Sequence, residues 1–144
     1  MRGFYFTFDN THSVTSNAVA EALGVKTTEQ MIGTWLDGKP LYKKAIVYDI
    51  PQNGSYSIPV NIQGTYHIVN WRGNFFQFGY ENPNFIMHVP YTYINQANTS
   101  EIINIYCYYN PSRQEFAIDL YGTGQYASGY FNGQVVMYIE YTKT

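Results

Sequence analysis

Three stretches in the second half of the chain alternate apolar and polar residues with a period of two. Ile103, Ile105, Cys107 and Tyr109 form one row. Phe116, Ile118 and Leu120 form a second, set against Glu115, Ala117, Asp119 and Tyr121. Val135, Met137, Ile139 and Tyr141 form a third, set against Tyr138, Glu140 and Thr142. Successive side chains leave a strand on opposite faces, so each row predicts a strand with one buried and one wet face. That pattern belongs to antiparallel sheets, because parallel sheets are covered on both sides.

The rest of the chain from Glu29 onward is read in the same terms. Gln30–Leu36 and Leu41–Ile50 flank Asp37-Gly38-Lys39-Pro40, and Asp-Gly between two apolar runs is a strong hairpin signal. Further strands are expected over Tyr56–Val60, Thr65–Trp71, Phe75–Phe78 and Phe85–Val89. Gly-, Asn- and Pro-rich clusters separate them, among them Arg72-Gly73-Asn74 and Asn95–Ser100. About eight or nine short strands at this spacing predict a mainly β fold, an antiparallel β-sandwich with jelly-roll or Greek-key links.

Composition narrows the function. The 144 residues carry a net charge of -2, and only 12% are charged, whereas 19% are aromatic, including 16 Tyr. Nucleic-acid binding through phosphates needs a basic face, which this balance argues against. No apolar run approaches the roughly 18 residues of a membrane-spanning helix, so membrane insertion is not expected. One cysteine excludes a disulfide framework within the chain and a multi-cysteine zinc site. With so few charges, Tyr, Asn, Gln, Ser and Thr must cover the surface. Such a skin suits neutral partners such as sugars or protein loops.

Catalytic signatures are sparse. No Gly-x-Ser-x-Gly elbow occurs, and His12, His67 and His88 lack metal-binding spacing, so neither a metal nor another cofactor is expected. Asp119 and Glu140 fall on wet faces and would make a glycosidase-like pair if their strands were neighbours. Two solvated strand charges are the simpler reading, and Cys107 reads as a small core residue. Aromatic and amide side chains do recur together in stretches read as turns, at Trp71–Asn74, Phe78–Asn82, Tyr91–Gln96 and Tyr126–Asn132. A ring covers the apolar face of a sugar while amide and guanidinium groups bond its hydroxyls, the general plan of a small-ligand site. Trp71, Arg72, Asn74, Tyr80 and Asn82 are the expected ligand contacts, with the rings as floor and the polar groups as rim. Core or subunit packing is the competing use of these rings.

Residues 13–24, SVTSNAVAEALG, predict one short helix. Thr15 or Ser16 caps its start, Ala18, Val19, Ala22 and Leu23 share a side, and Gly24 follows its end. About two turns are marginal in water, so the helix needs a partner: the domain's own sheet, or the same helix of other subunits through Val19 and Leu23. Met1–Phe8 holds no apolar stretch of a signal peptide, so the expectation is either release from the cell by another route or a piece of a longer chain, which the abrupt aromatic start suits. The division expected is a linker and oligomerisation segment over 1–27 and a sandwich head over 28–144.

Two stretches, Thr11–Leu23 and Thr28–Ile46, and the ending Ile139–Thr144 resemble a module at the C-terminus of tail-fibre and baseplate receptor-binding proteins of phages of gut bacteria. The second stretch carries the hairpin pattern Glu29, Ile32, Gly33, Trp35, Asp37-Gly38-Lys39-Pro40 and Tyr42. Roughly residues 50–135 carry no part of the resemblance. It implies a virion component, extracellular after lysis and commonly a homotrimer. Such a component touches other tail or baseplate proteins and meets the host surface with its distal β-domain. The expected function is adhesion to a host cell-surface glycan, without catalysis. The alternatives are a trimerising cap that binds no receptor and, more distantly, a glycan-trimming hydrolase.

Overall fold

A computed structural model of the protein describes residues 26–78 and 86–144. These residues build nine strands: β1 (Gln30–Thr34), β2 (Pro40–Ile50), β3 (Gly54–Pro59), β4 (Tyr66–Gln77), β5 (Ile86–Val89), β6 (Tyr91–Ile94), β7 (Ile102–Asn110), β8 (Glu115–Gly122) and β9 (Gly133–Lys143). A single 3₁₀ turn, Gly124–Tyr126, lies between β8 and β9. One sheet has the order β1-β2-β9-β4-β5 and the other β3-β8-β7-β6, and every pairing is antiparallel. The expected mainly β, two-sheet antiparallel fold is therefore present. The β2–β9 pair of one sheet continues along the chain into the β3–β8 pair of the other.

The three alternating rows do what their period demands. Ile103, Ile105, Cys107, Phe116, Ile118 and Leu120 of the smaller sheet bury against Val135, Met137, Ile139 and Tyr141 of the larger one. Aromatic contacts fill the core: Trp71 meets Phe116 of the other sheet edge to face with centroids 5.1 Å apart, and Phe75 meets the loop residue Phe131 at 5.4 Å. Burial pushes the Cys107 thiol up to about 12, in keeping with its core position. The expected hairpin forms at Asp37-Gly38. Gly38 takes φ 85°, where a residue without a Cβ is unstrained, and Asp37 accepts a bond from the Lys39 amide at 3.1 Å.

Two sequence expectations are corrected. Arg72-Gly73-Asn74 is no turn, and the two strands expected around it are one, β4. Gly73 is there for closeness: a Cβ would sit 2.7 Å from the Met137 sulfur and 3.3 Å from the Val89 Cβ. Tyr91–Ile94, read as a loop, is β6, paired with β7 over four residues. The expected helix over 13–24, with Val19 and Leu23, lies outside the described residues.

The start and finish of the described chain are clamped together. Lys143 donates to Glu29 at 2.7 Å, and the Tyr141 hydroxyl donates to the same carboxylate. Tyr141 stacks on Tyr42 at 5.8 Å, and the Lys143 ammonium lies 5.1 Å from the Tyr42 ring centroid.

Two outcomes follow from this packing. Gly133 pairs with Ile50 and Gln77, and a Cβ there would meet the Phe76 carbonyl at 1.9 Å. Gly133→Ala is expected to destabilise the domain by about 3 kcal/mol, read as a fall of about 10 °C in thermal melting. The bond from Lys143, and then that from Tyr141, hold the Glu29 carboxyl below its ordinary 4.5. Its contribution is therefore complete above pH 4.5 and fades as pH falls through the lower folded value. The melting temperatures of wild type and Glu29→Gln should differ near pH 6 and converge on acidification.

Candidate functional site

Because each strand alternates, the residues opposite the core rows form the outer faces of the two sheets. On the smaller sheet that face is dominated by phenols. Tyr106, Tyr108 and Tyr121 are 54%, 45% and 51% exposed, which is large for rings of this size. The β7–β8 register sets Tyr106 opposite Asp119 and Tyr121 opposite Asn104. Two phenols thus occupy one diagonal of a four-residue square, and a carboxylate and an amide the other. Diagonal neighbours on an antiparallel pair lie about 7–8 Å apart, within reach of aromatic side chains. The flanking strands extend the square: β3 places Ser55 beside Asp119, and β6 places Thr92 beside Asn104.

An open groove of about 710 Å³ runs over this square. Its lining includes Tyr106, Tyr121, Asp119, Asn104, Ser55 and Ser128. The Thr92 hydroxyl donates to Asn104 Oδ1 at 2.8 Å, which fixes the amide and leaves its N–H groups to donate elsewhere. Tyr106 and Tyr108 rest against one another at 5.8 Å.

One wall of the groove comes from the loop after β8, held by specific bonds. Asn53 accepts from the Phe131 amide at 2.8 Å and donates to the Tyr126 carbonyl at 3.2 Å. The Phe131 ring is fully buried and anchors the loop in the core. At Gly122, where the loop folds back, a Cβ would lie 2.2 Å from the Tyr126 carbonyl oxygen. The wall is thus tied to the β2–β3 turn on one side and to the core on the other, so the groove has a fixed shape before any ligand arrives.

The outer face of the larger sheet carries a second, smaller hollow of about 160 Å³, lined by Lys43, Asn70, Arg72, Tyr138 and Glu140 of that face and bordered by Lys44 and Ile139 of the inward rows. The Arg72 guanidinium carbon lies 4.7 Å from the Tyr138 ring centroid. Asn74 Oδ1 lies 2.9 Å from His88 Nδ1. Burial raises the Tyr138 hydroxyl, against smaller lowering effects of an Asn74 hydrogen bond and the Arg72 charge.

The residues expected to share one ligand are therefore divided. Trp71 is on the core side of β4, against Phe116, and serves the packing between the sheets. Arg72 and Asn74 are on the opposite side of the same strand, as their alternation with Trp71 requires. Tyr80 and Asn82 lie outside the described residues. The carboxylates weighed as a hydrolytic pair are also separated, Asp119 on the smaller sheet and Glu140 on the larger, each on its outer face. Among the described residues no group of three or more His, Cys, Asp or Glu is placed to share a metal ion. Likewise no helix among them is long and apolar enough to cross a membrane.

Sequence reasoning passed over Tyr106, Asn104, Ser55 and Tyr121 as ligand contacts because it looked for them in turns. The usable signal was the outward row itself. Tyr121 and Asp119 alternate with Phe116, Ile118 and Leu120, and Tyr106 and Tyr108 alternate with Ile105 and Cys107.

Comparison with family models, with curated proteins and with solved structures finds no match to this chain.

The division of the Trp71 cluster has a measurable consequence. Trp71→Ala should cost about 3 kcal/mol of stability, as removal of a large core-packed aromatic does. Arg72→Gln should cost less than about 1 kcal/mol, the worth of an exposed cation–π contact. Urea unfolding of both variants followed by circular dichroism checks the contrast.

Proposed function

We propose that the chain is the adhesive head of a phage tail fibre and that it holds a host cell-surface glycan in the groove between Tyr106 and Tyr121. The observation that carries this reading is the square of two exposed phenols, one carboxylate and one amide in an open groove of fixed shape. A pyranose ring has an apolar C–H face and a girdle of hydroxyls. Tyr106 and Tyr121 supply flat surfaces for the former with little rotamer entropy to lose. Asp119 accepts hydrogen bonds from the latter, and Asn104 donates to them.

The resemblance of Thr28–Ile46 and Ile139–Thr144 to the phage module gives the reading its setting. So do the exposed apolar side chains of the first hairpin, Met31 at 64%, Ile32 at 41% and Leu36 at 95%. Such side chains suit contact with another subunit or another tail protein better than contact with water. In a trimer three shallow grooves act together, and avidity replaces tight binding at any one of them.

A glycan array probed with the intact assembly tests the reading. Tyr106→Ala and Tyr121→Ala should each weaken binding about tenfold, the loss of about 1.4 kcal/mol typical of a principal contact. The double variant should remove array binding while melting as the wild type does. Unchanged binding by the double variant would refute the groove as the glycan site.

A further inference from the structure

We infer that the hollow on the outer face of the larger sheet is a second binding site, for a sugar bearing a carboxylate. The residues come together by register. Lys43, Glu140 and Asn70 stand in one row across β2, β9 and β4, and Tyr138 and Arg72 stand side by side in the next. Lys43 and Arg72 are two of only eight basic residues in a chain of net charge -2, so their placement on one hollow of 160 Å³ is a local reversal of sign.

Lys44 borders the hollow too, but it pairs with the core-facing Ile139, so its side chain leaves β2 on the inner side. Lys44 is committed, its ammonium donating to the Asn61 carbonyl at 3.0 Å. Lys43 and Arg72 make no ion pair with any carboxylate among the described residues. The Tyr138 ring holds the Arg72 guanidinium in place through its face, which leaves the N–H edges open. Those edges match a carboxylate in a two-pronged bond, which a point charge cannot imitate.

Glu140 decides the class of anion. With Lys43 and Arg72 uncommitted and Glu140 beside them, one positive charge is left over, which suits a monoanion. A phosphate dianion would set its second charge against Glu140. The Glu140 carboxylate instead accepts from a hydroxyl, and Asn70 both donates and accepts. A carboxylate with neighbouring hydroxyls describes a uronic or similar acidic sugar. The volume is that of about five waters, enough for one ring and not for a chain. The hollow and the tyrosine groove lie on opposite outer faces, so this inference stands or falls apart from the adhesive reading.

Titration of the full chain with D-glucuronate, D-glucose, acetate and inorganic phosphate tests it, followed by ¹⁵N–¹H NMR of the backbone amides and the Arg72 side chain. Saturable shifts at Arg72, Lys43 and Tyr138 are expected with glucuronate, at least tenfold stronger than with glucose or acetate. Arg72→Gln and Lys43→Gln should each weaken the glucuronate response about tenfold. Tyr106→Ala with Tyr121→Ala should leave it unchanged. Acetate or phosphate acting as well as glucuronate would overturn the assignment to an acidic sugar. Absence of saturable shifts with glucuronate would overturn the site.

Discussion

Strand β9 is the member on which the rest of the sandwich depends. It is hydrogen-bonded along its length to β2 on one side and to β4 on the other, and its core-facing row Val135, Met137, Ile139 and Tyr141 is almost wholly buried. A strand held on both edges cannot slip by one residue without turning that whole row to the outside. Fixing β9 therefore fixes the faces of β2 and β4, and the ribbon of β2 with β9 continues into β3 with β8 to fix the smaller sheet. The outer faces inherit this determinacy. Tyr106, Asp119, Tyr121 and Asn104 meet in a square because the rows behind them, Ile103, Ile105 and Cys107 with Ile118 and Leu120, have nowhere else to go.

The same logic explains how far the sequence could be read. The inward rows were legible because burying one side of a strand imposes a period of two, and the Asp37-Gly38 hairpin because positive φ selects its residues. Arg72-Gly73-Asn74 was misread because a glycine has two uses. Here it lets Met137 and Val89 approach β4, and the need for it lies on strands far away in the sequence. Tyr91–Ile94 was missed because it follows Val89-Pro90 directly and runs into the Asn95–Ser100 cluster, with no apolar alternation to set it apart. Pairing with Ile102–Ile105 makes it a strand, and that is tertiary information.

The candidate site was less legible than the fold for a related reason. A groove on a sheet face draws one or two residues from each of several strands, so its members are not clustered in the chain. Ser55, Asn104, Tyr106, Asp119 and Tyr121 come from β3, β7 and β8, and only the strand order makes them neighbours. Trp71, Arg72 and Asn74 are close in the sequence, and for that very reason alternation sends them to different sides. In a β-rich chain, contiguity is a poor guide to a shared site, and residues two apart or strand-paired are a better one.

The low charge of the chain gives the two outer faces their different characters. With 18 charged residues in 144, most of the surface can be made selective only through shape and neutral hydrogen bonds. The groove of the smaller sheet uses that option, with Asp119 as the one charge in its lining among Tyr, Asn and Ser. The larger sheet concentrates scarce charge, with Lys43, Arg72 and Glu140 in a single hollow. Exposed charges so close together gain little stability from one another, since surface pairs are worth at most about 1 kcal/mol. Even that gain is forgone by Arg72 and Lys43, which make no ion pair among the described residues. Folding does not require their convergence. A partner that supplies the missing negative charge gives it a physical purpose, on a face where the β2–β9–β4 register already holds the donors in position.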